Sequence, residues 1–177
     1  VDTAYLEASY PWSGVDESGN MFDDMVSDWG PYLHYCFGTE NQDIGSGKLN
    51  TFNFVADHPE GEYAANICDN SNSGGFEDWF LPSKDELWEM MQNIELIDST
   101  SNVLGGDIIS TNFHWSSSQV VPTGNSTNYA YAASPFVTNM ETGETFPYML
   151  TKSKNMPYLV RAVRCIDNDC SFELSST

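Results

Sequence analysis

Residues 74–87 read Gly74-Gly75-Phe76-Glu77-Asp78-Trp79-Phe80-Leu81-Pro82-Ser83-Lys84-Asp85-Glu86-Leu87, and the second half of this stretch spells the start of a helix. Ser83 and Glu86 have the spacing of a capping box, in which the Ser83 hydroxyl accepts from the Glu86 N–H and the Glu86 carboxylate accepts from the Ser83 N–H. Leu87, Met90, Met91 and Ile94 then fall at i, i+3, i+4 and i+7, which predicts a helix over about 83–94 with one apolar stripe. Trp79, Pro82, Ser83 and Glu86 are therefore read as structural, a strand end turning into a capped helix.

Toward the N-terminus, Asn50 or Thr51 caps a predicted short helix carrying Phe52, Val55 and Ala56. Tyr63, Ala64, Ile67 and Cys68 repeat at helical spacing until Asn72–Gly75 end the run. Residues 1–43 are aromatic-rich and broken by Gly, Pro and Asp, which predicts short strands and loops. Within them Tyr32-Leu33-His34-Tyr35-Cys36-Phe37 reads as a buried strand. Toward the C-terminus, Trp115–Ser118, Tyr129–Ala133, Pro135–Met140, Phe146–Leu150 and Tyr158–Cys165 are separated by turn-prone groups, the pattern of antiparallel hairpins. Trp115, with Ser116, Ser117 and Ser118 behind it, belongs to this strand core. Helices in the first half and strands in the second predict an α+β fold rather than parallel βαβ units.

The length of 177 residues suits one domain with one core. Asp and Glu number 26 against 6 Lys and Arg, a net charge of -20. Such a surface repels phosphate backbones and anionic lipid, so nucleic acid is excluded as a partner and sulfated polysaccharide is a poor one. No apolar run approaches the roughly 20 residues that span a bilayer, so membrane insertion is not expected. A chain beginning at Val1 fits removal of a leader. Cys36, Cys68, Cys165 and Cys170 form an even set without zinc-type spacing, which predicts two disulfides in an oxidising compartment. Three pairings exist, of which Cys36 with Cys68 and Cys165 with Cys170 is the favoured one. Asn125-Ser126-Thr127 is a glycosylation sequon.

Five ordered blocks carry a resemblance: residues 44–51, 63–68, 75–87, 114–118 and 160–164. Together they resemble, in order and spacing, the C-terminal domain family of Legionella collagen-like adhesins. The resemblance covers about residues 44–165 and implies a C-type-lectin-like fold, two helices packed on a twisted antiparallel β-sheet, exported and appended to surface proteins. It leaves residues 1–43 as an N-terminal region outside the core and 166–177 as an acidic tail. Adhesins of that family look trimeric and bind sulfated glycosaminoglycans through basic surface. With 6 basic residues and no Gly-X-Y tract, this chain shares the implied fold but not the implied ligand or that route to a trimer. Ala162 also stands where relatives carry Cys.

Chemical motifs are sparse. No Gly-x-Ser-x-Gly elbow surrounds Ser116–Ser118, and His34, His58 and His114 show no paired metal spacing. Asp69-Asn70-Ser71-Asn72-Ser73-Gly74 imitates an EF-hand start, but its twelfth position is Phe80 instead of Glu. The sugar-binding triplets of C-type lectins are absent, and the closely placed redox cysteines of the lectin-like formylglycine-generating enzymes have no counterpart beyond Cys165 and Cys170. Asp23 and Asp24, with Asp167 and Asp169, remain the candidate metal ligands, with calcium the candidate cofactor. The expectation is a non-enzymatic extracellular or cell-surface recognition and adhesion module. It would contact a protein or carbohydrate surface through loops 119–128 and 151–157. The alternative is a self-assembling subunit of an extracellular filament or surface layer, a homo-oligomer joined through Tyr5, Leu6, Tyr10, Trp12, Met21 and Phe22.

Overall fold

In a computed structural model, which describes residues 5–6, 14–15, 21–22, 25–104, 108–109, 111–122 and 127–165, the capping box is formed as spelled. Ser83 caps α3 (Lys84–Gln92), its hydroxyl accepting from the Glu86 N–H at 3.3 Å while Glu86 Oε2 accepts from the Ser83 N–H at 2.6 Å. The other Glu86 oxygen accepts from the Gly45 N–H at 2.8 Å. Ser83 Oγ donates to the Asp43 carbonyl, and the Asp85 N–H donates to Gln42. The first turn of α3 thus holds the loop that leads into α1 (Gly47–Asp57). Gly47 has to be glycine, since a Cβ there would stand 2.7 Å from Ser83 N and 2.8 Å from the Leu81 carbonyl oxygen.

Two more helices complete the set among the described residues: α2 (Ala64–Asp69) and α4 (Ile94–Leu104), with a 3-10 turn at Ser73–Gly75 between α2 and α3. The resemblance implies two helices; four are present. The apolar stripe of α3 does not stop at Ile94, because Asn93 interrupts the helix and α4 restarts it, with Ile94 and Ile97 feeding the same cluster as Met90 and Met91.

Strands β4 (Met25–Ser27), β5 (His114–Gln119), β6 (Tyr129–Thr138), β7 (Thr145–Ser153) and β8 (Tyr158–Val160) form one sheet in the order β4-β8-β5-β6-β7. Tyr129–Met140 reads as two strands, but β6 is continuous, with an irregularity between Ser134 and Val137. The expected antiparallel sheet is mixed, because β8 enters between β4 and β5 instead of beside β7 and so runs parallel to β5. The short strands β1 (Tyr5–Leu6) and β9 (Arg164–Cys165) pair antiparallel, bringing the two ends of the fold together, and β2 (Gly14–Val15) pairs with β3 (Met21–Phe22).

Trp115, Ala130 and Ala132 serve one core cluster with Trp29, Phe54 and Cys68, while Ala133 serves a second with Phe80, Leu87 and Met91. Successive strand side chains point to opposite faces, so the sheet is covered on both: by α1 and α2 on one side, by α3 on the other. That explains why all of β5 is buried. The motif segment spans the two clusters, with Phe80 in one and Leu81 in the other. Trp79 closes its own turn by donating Nε1–H to the Ser73 carbonyl, and Phe80 bridges Val163 through both backbone groups at 2.9 Å. Asp78 grips Arg164 at 2.9 and 3.1 Å, which holds its carboxyl below the usual range, and the guanidinium lies 3.6 Å over the Phe76 ring.

Two further expectations are corrected. Tyr32–Phe37 is a loop with only Cys36 buried; Tyr32, Leu33 and Phe37 face solvent, and Leu33 takes a positive φ of 67°. The His34 N–H to Pro31 O bond and the Leu33 N–H to Asn128 Oδ1 bond turn the backbone away from a strand path. Cys36 and Cys68, expected to pair, are free thiols buried as small apolar groups in the same cluster. Cys165 is disulfide-bonded, and Cys170 lies outside the described residues.

Glu86→Ala orphans buried backbone donors and should lower the unfolding free energy by about 2–4 kcal/mol in urea titrations. Gly47→Ala should cost about 1–3 kcal/mol by overpacking. A Glu86→Ala loss no larger than that of exposed Glu60→Ala would refute the role given to the carboxylate. A second expectation concerns pH. Burial, helped by Asp69, pushes the Cys68 thiol up. The unfolded thiol ionises at about pH 8.5, so as pH rises the unfolded chain loses that proton first and stability falls. Between about pH 8.5 and 10 the unfolding free energy of Cys68→Ala should therefore decline less steeply than wild type; parallel declines would exclude this origin.

Candidate functional site

The loop after β4 and the end of α1 meet in a cluster that no stretch of sequence displays whole. His34 and Cys36 come from the loop; Asp57 is the last residue of α1, and His58 is its C-cap, donating its backbone N–H to Phe54. His34 Nε2 lies 2.9 Å from Asp57 Oδ2, His58 Nε2 lies 3.4 Å from the same oxygen, and Cys36 Sγ lies 3.6 Å from His58 Nε2. One donor atom from each of the four residues falls within 4.8 Å of every other. The two imidazoles stack edge-on at 4.7 Å, and His58 also packs against Phe54 and Tyr63. Cys36 is fully buried, His58 mostly so, while His34 and Asp57 are nearly half exposed, so the cluster opens to solvent on one side.

The loop is held from behind by a buried polar frame. Gln119, at the end of β5, donates from Nε2 to the Cys36 carbonyl at 2.6 Å, and its Oε1 accepts from the Cys36 N–H at 3.4 Å. Lys154, 0% exposed, donates from Nζ to Gln119 Oε1 and to the His34 carbonyl, both at 2.7 Å, with Trp29 4.5 Å beneath the ammonium. Thr39 Oγ1 donates to the Cys36 carbonyl, Asn53 Nδ2 to Gly38, and Asn66 Nδ2 to His58. Burial pushes the Cys36 thiol up to about 12, against the pull of the Lys154 charge. Burial likewise lowers His58, although Asp57 opposes it, and brings Lys154 down to about 8, still cationic at neutral pH.

A thiol beside an imidazole suggests a nucleophile, but nucleophilic cysteines are thiolates in accessible, electropositive surroundings. Cys36 is protonated and enclosed, so the arrangement is suited to holding something rather than attacking it. Its donors are one sulfur, two imidazole nitrogens and one carboxylate oxygen.

Of the sequence-predicted site residues, Cys36 joins this cluster. Asp23, Asp24, Asp167 and Asp169 lie outside the described residues. Trp79, Pro82, Ser83, Glu86 and Trp115 are buried in core and cap. The three serines are used internally, Ser116 Oγ donating to Tyr131, Ser118 Oγ to Asn41, and Ser117 Oγ meeting Asn50 Nδ2. Residues 151–157 are not a free loop, since 151–153 continue β7 and Lys154 points into the interior. His34 and His58, read as scattered, are neighbours. The overlooked signal is two close ligand pairs, His34-x-Cys36 and, at the C-terminal end of α1, Asp57-His58.

No protein-family model, curated protein or solved structure matches the chain.

The polar frame gives a double-mutant test. Gln119→Leu and Lys154→Met should each cost about 2–4 kcal/mol, because each takes a buried hydrogen bond from the other. The double variant should cost at least about 1 kcal/mol less than the sum; strict additivity would show that the two side chains are not coupled.

Proposed function

We propose that the chain is a non-enzymatic recognition module of C-type-lectin-like kind, displayed outside the cell, which binds a protein or glycan through the β6–β7 hairpin. The observation that carries this reading is an exposed apolar patch on that hairpin: Phe136, Phe146, Tyr148 and, 92% exposed at the turn, Met140. Phe146 and Tyr148 lie two residues apart on the same face of β7, their rings 6.4 Å apart, while Met149 points the other way into the core. Exposed aromatic clusters of this sort mark contact sites.

The family resemblance supports a surface setting, and helices on a mixed sheet, with the first and last described strands paired apart from it, are consistent with the lectin-like arrangement. Strand-to-strand polymerisation is the weaker alternative. β7 is an edge strand, but Pro147 lies between the two exposed rings and lacks the N–H that pairing needs. The N-terminal apolar residues invoked for a filament subunit include Tyr10 and Trp12, which lie outside the described residues.

Wild-type protein screened against arrayed glycans and extracellular proteins is expected to bind as a monomer in sedimentation velocity. Phe146→Ser with Tyr148→Ser should keep stability within about 1 kcal/mol of wild type, as for surface changes, yet lose binding at least tenfold. Full binding by that variant would remove the patch from the reading, and ordered polymers by electron microscopy would replace the module with the filament subunit.

A further inference from the structure

We propose that His34, Cys36, Asp57 and His58 bind one Zn2+ ion in a four-coordinate site that clamps the loop after β4 to the C-terminal end of α1. The proposal is independent of what the β6–β7 hairpin binds.

The donor set decides the metal. One thiolate, two imidazoles and one carboxylate form a borderline-soft N, S and O set that suits zinc, whereas calcium and magnesium take oxygen alone. The spacing agrees. Zn–N and Zn–O bonds of about 2.0 Å and a Zn–S bond of about 2.3 Å imply tetrahedral edges of about 3.3 Å between light donors and about 3.6 Å to sulfur. His58 Nε2 already lies 3.4 Å from Asp57 Oδ2 and 3.6 Å from Cys36 Sγ. The His34–Asp57 edge, a 2.9 Å hydrogen bond, has to open, the other three edges lie within 4.8 Å, and the His34 and Asp57 side chains are partly exposed and free to adjust.

Three further features fit a cation at this point. Asp57 places a carboxylate at the negative end of the α1 dipole, and no basic residue occupies the last turn, so a bound cation relieves an unfavourable juxtaposition. Gln119 fixes the Cys36 backbone from both sides, and Asn66 holds the His58 carbonyl, the kind of outer shell that keeps ligands in place. Cys36 is not tied up in a disulfide, so its sulfur is available to a metal. Binding releases the thiol proton to solvent and leaves sulfur as thiolate on the ion.

Metal-stripped full chain titrated with Co2+ should take up one equivalent. It should show the intense visible bands of tetrahedral cobalt with a thiolate-to-metal charge-transfer band, both bleached by stoichiometric Zn2+ and unaffected by Ca2+. Zinc should also raise the melting temperature of wild type. Cys36→Ser should abolish the charge-transfer band. His34→Ala and Asp57→Asn, at exposed positions where folding is not at stake, should each weaken zinc binding by about 10–100-fold or more, with circular dichroism confirming the fold. Pale, octahedral cobalt spectra identical in wild type and His34→Ala would overturn the proposal, reducing the binding to the acidic surface; so would uptake of no metal.

Discussion

The Glu86 carboxylate is the point on which the arrangement of this domain turns. A carboxylate only 2% exposed has to be satisfied by donors, and Glu86 finds them in two separate backbone segments, at Ser83 and at Gly45. One contact starts α3; the other fixes the loop before α1, and Gly47 lets that loop approach closely enough. From the same corner, Pro82 O accepts from Ser117 N–H and the Lys84 N–H reaches Ser118 Oγ, so α3 is also registered on β5. Asn50 of α1 meets Ser117 and Ser118 from the other side. Two helices and the central strand are thus indexed by one polar junction, and the apolar clusters pack around positions it has set. Hydrophobic burial supplies most of the driving force, but it is non-directional; the junction supplies the geometry.

This explains which parts of the fold were legible in the sequence. The capping box and the stripe Leu87, Met90, Met91 are local signals with a fixed period, and the helix follows where they place it. The hairpin strands were legible for the same reason, as apolar runs between turn residues. The parallel placement of β8 was not, because it is decided by which strand gap the chain enters, a non-local choice that leaves no periodic trace. The loop 32–37 misled for a physical reason: six residues rich in aromatics satisfy strand statistics, yet the segment is anchored by single polar contacts from Asn128, Gln119 and Lys154, each far away in sequence. The same contacts assemble the His34, Cys36, Asp57 and His58 cluster, so the candidate site was hidden with the loop. Its two halves are readable as short ligand pairs, but only the return of α1 brings them together.

The few cations of the chain are mostly committed inward. Lys154 and Arg161 are buried, Arg164 is clasped by Asp78 and stacked on Phe76, and Lys152 lies 4.6 Å over the Phe113 ring. With 6 basic residues in all, this leaves an outer surface even more anionic than the net charge of -20 conveys. Copies of the domain therefore repel one another beyond contact, a repulsion screened over about 8 Å at physiological salt. The patch at Phe136, Phe146 and Tyr148 sits on this anionic body, with Glu141 and Glu144 at the hairpin turn. An apolar centre with an acidic rim complements an apolar centre with a neutral or basic rim, and it opposes a second copy of itself. The charge distribution and the blunted edge at Pro147 thus argue in the same direction: the hairpin is better suited to meeting an unlike partner than to building a polymer of its own kind.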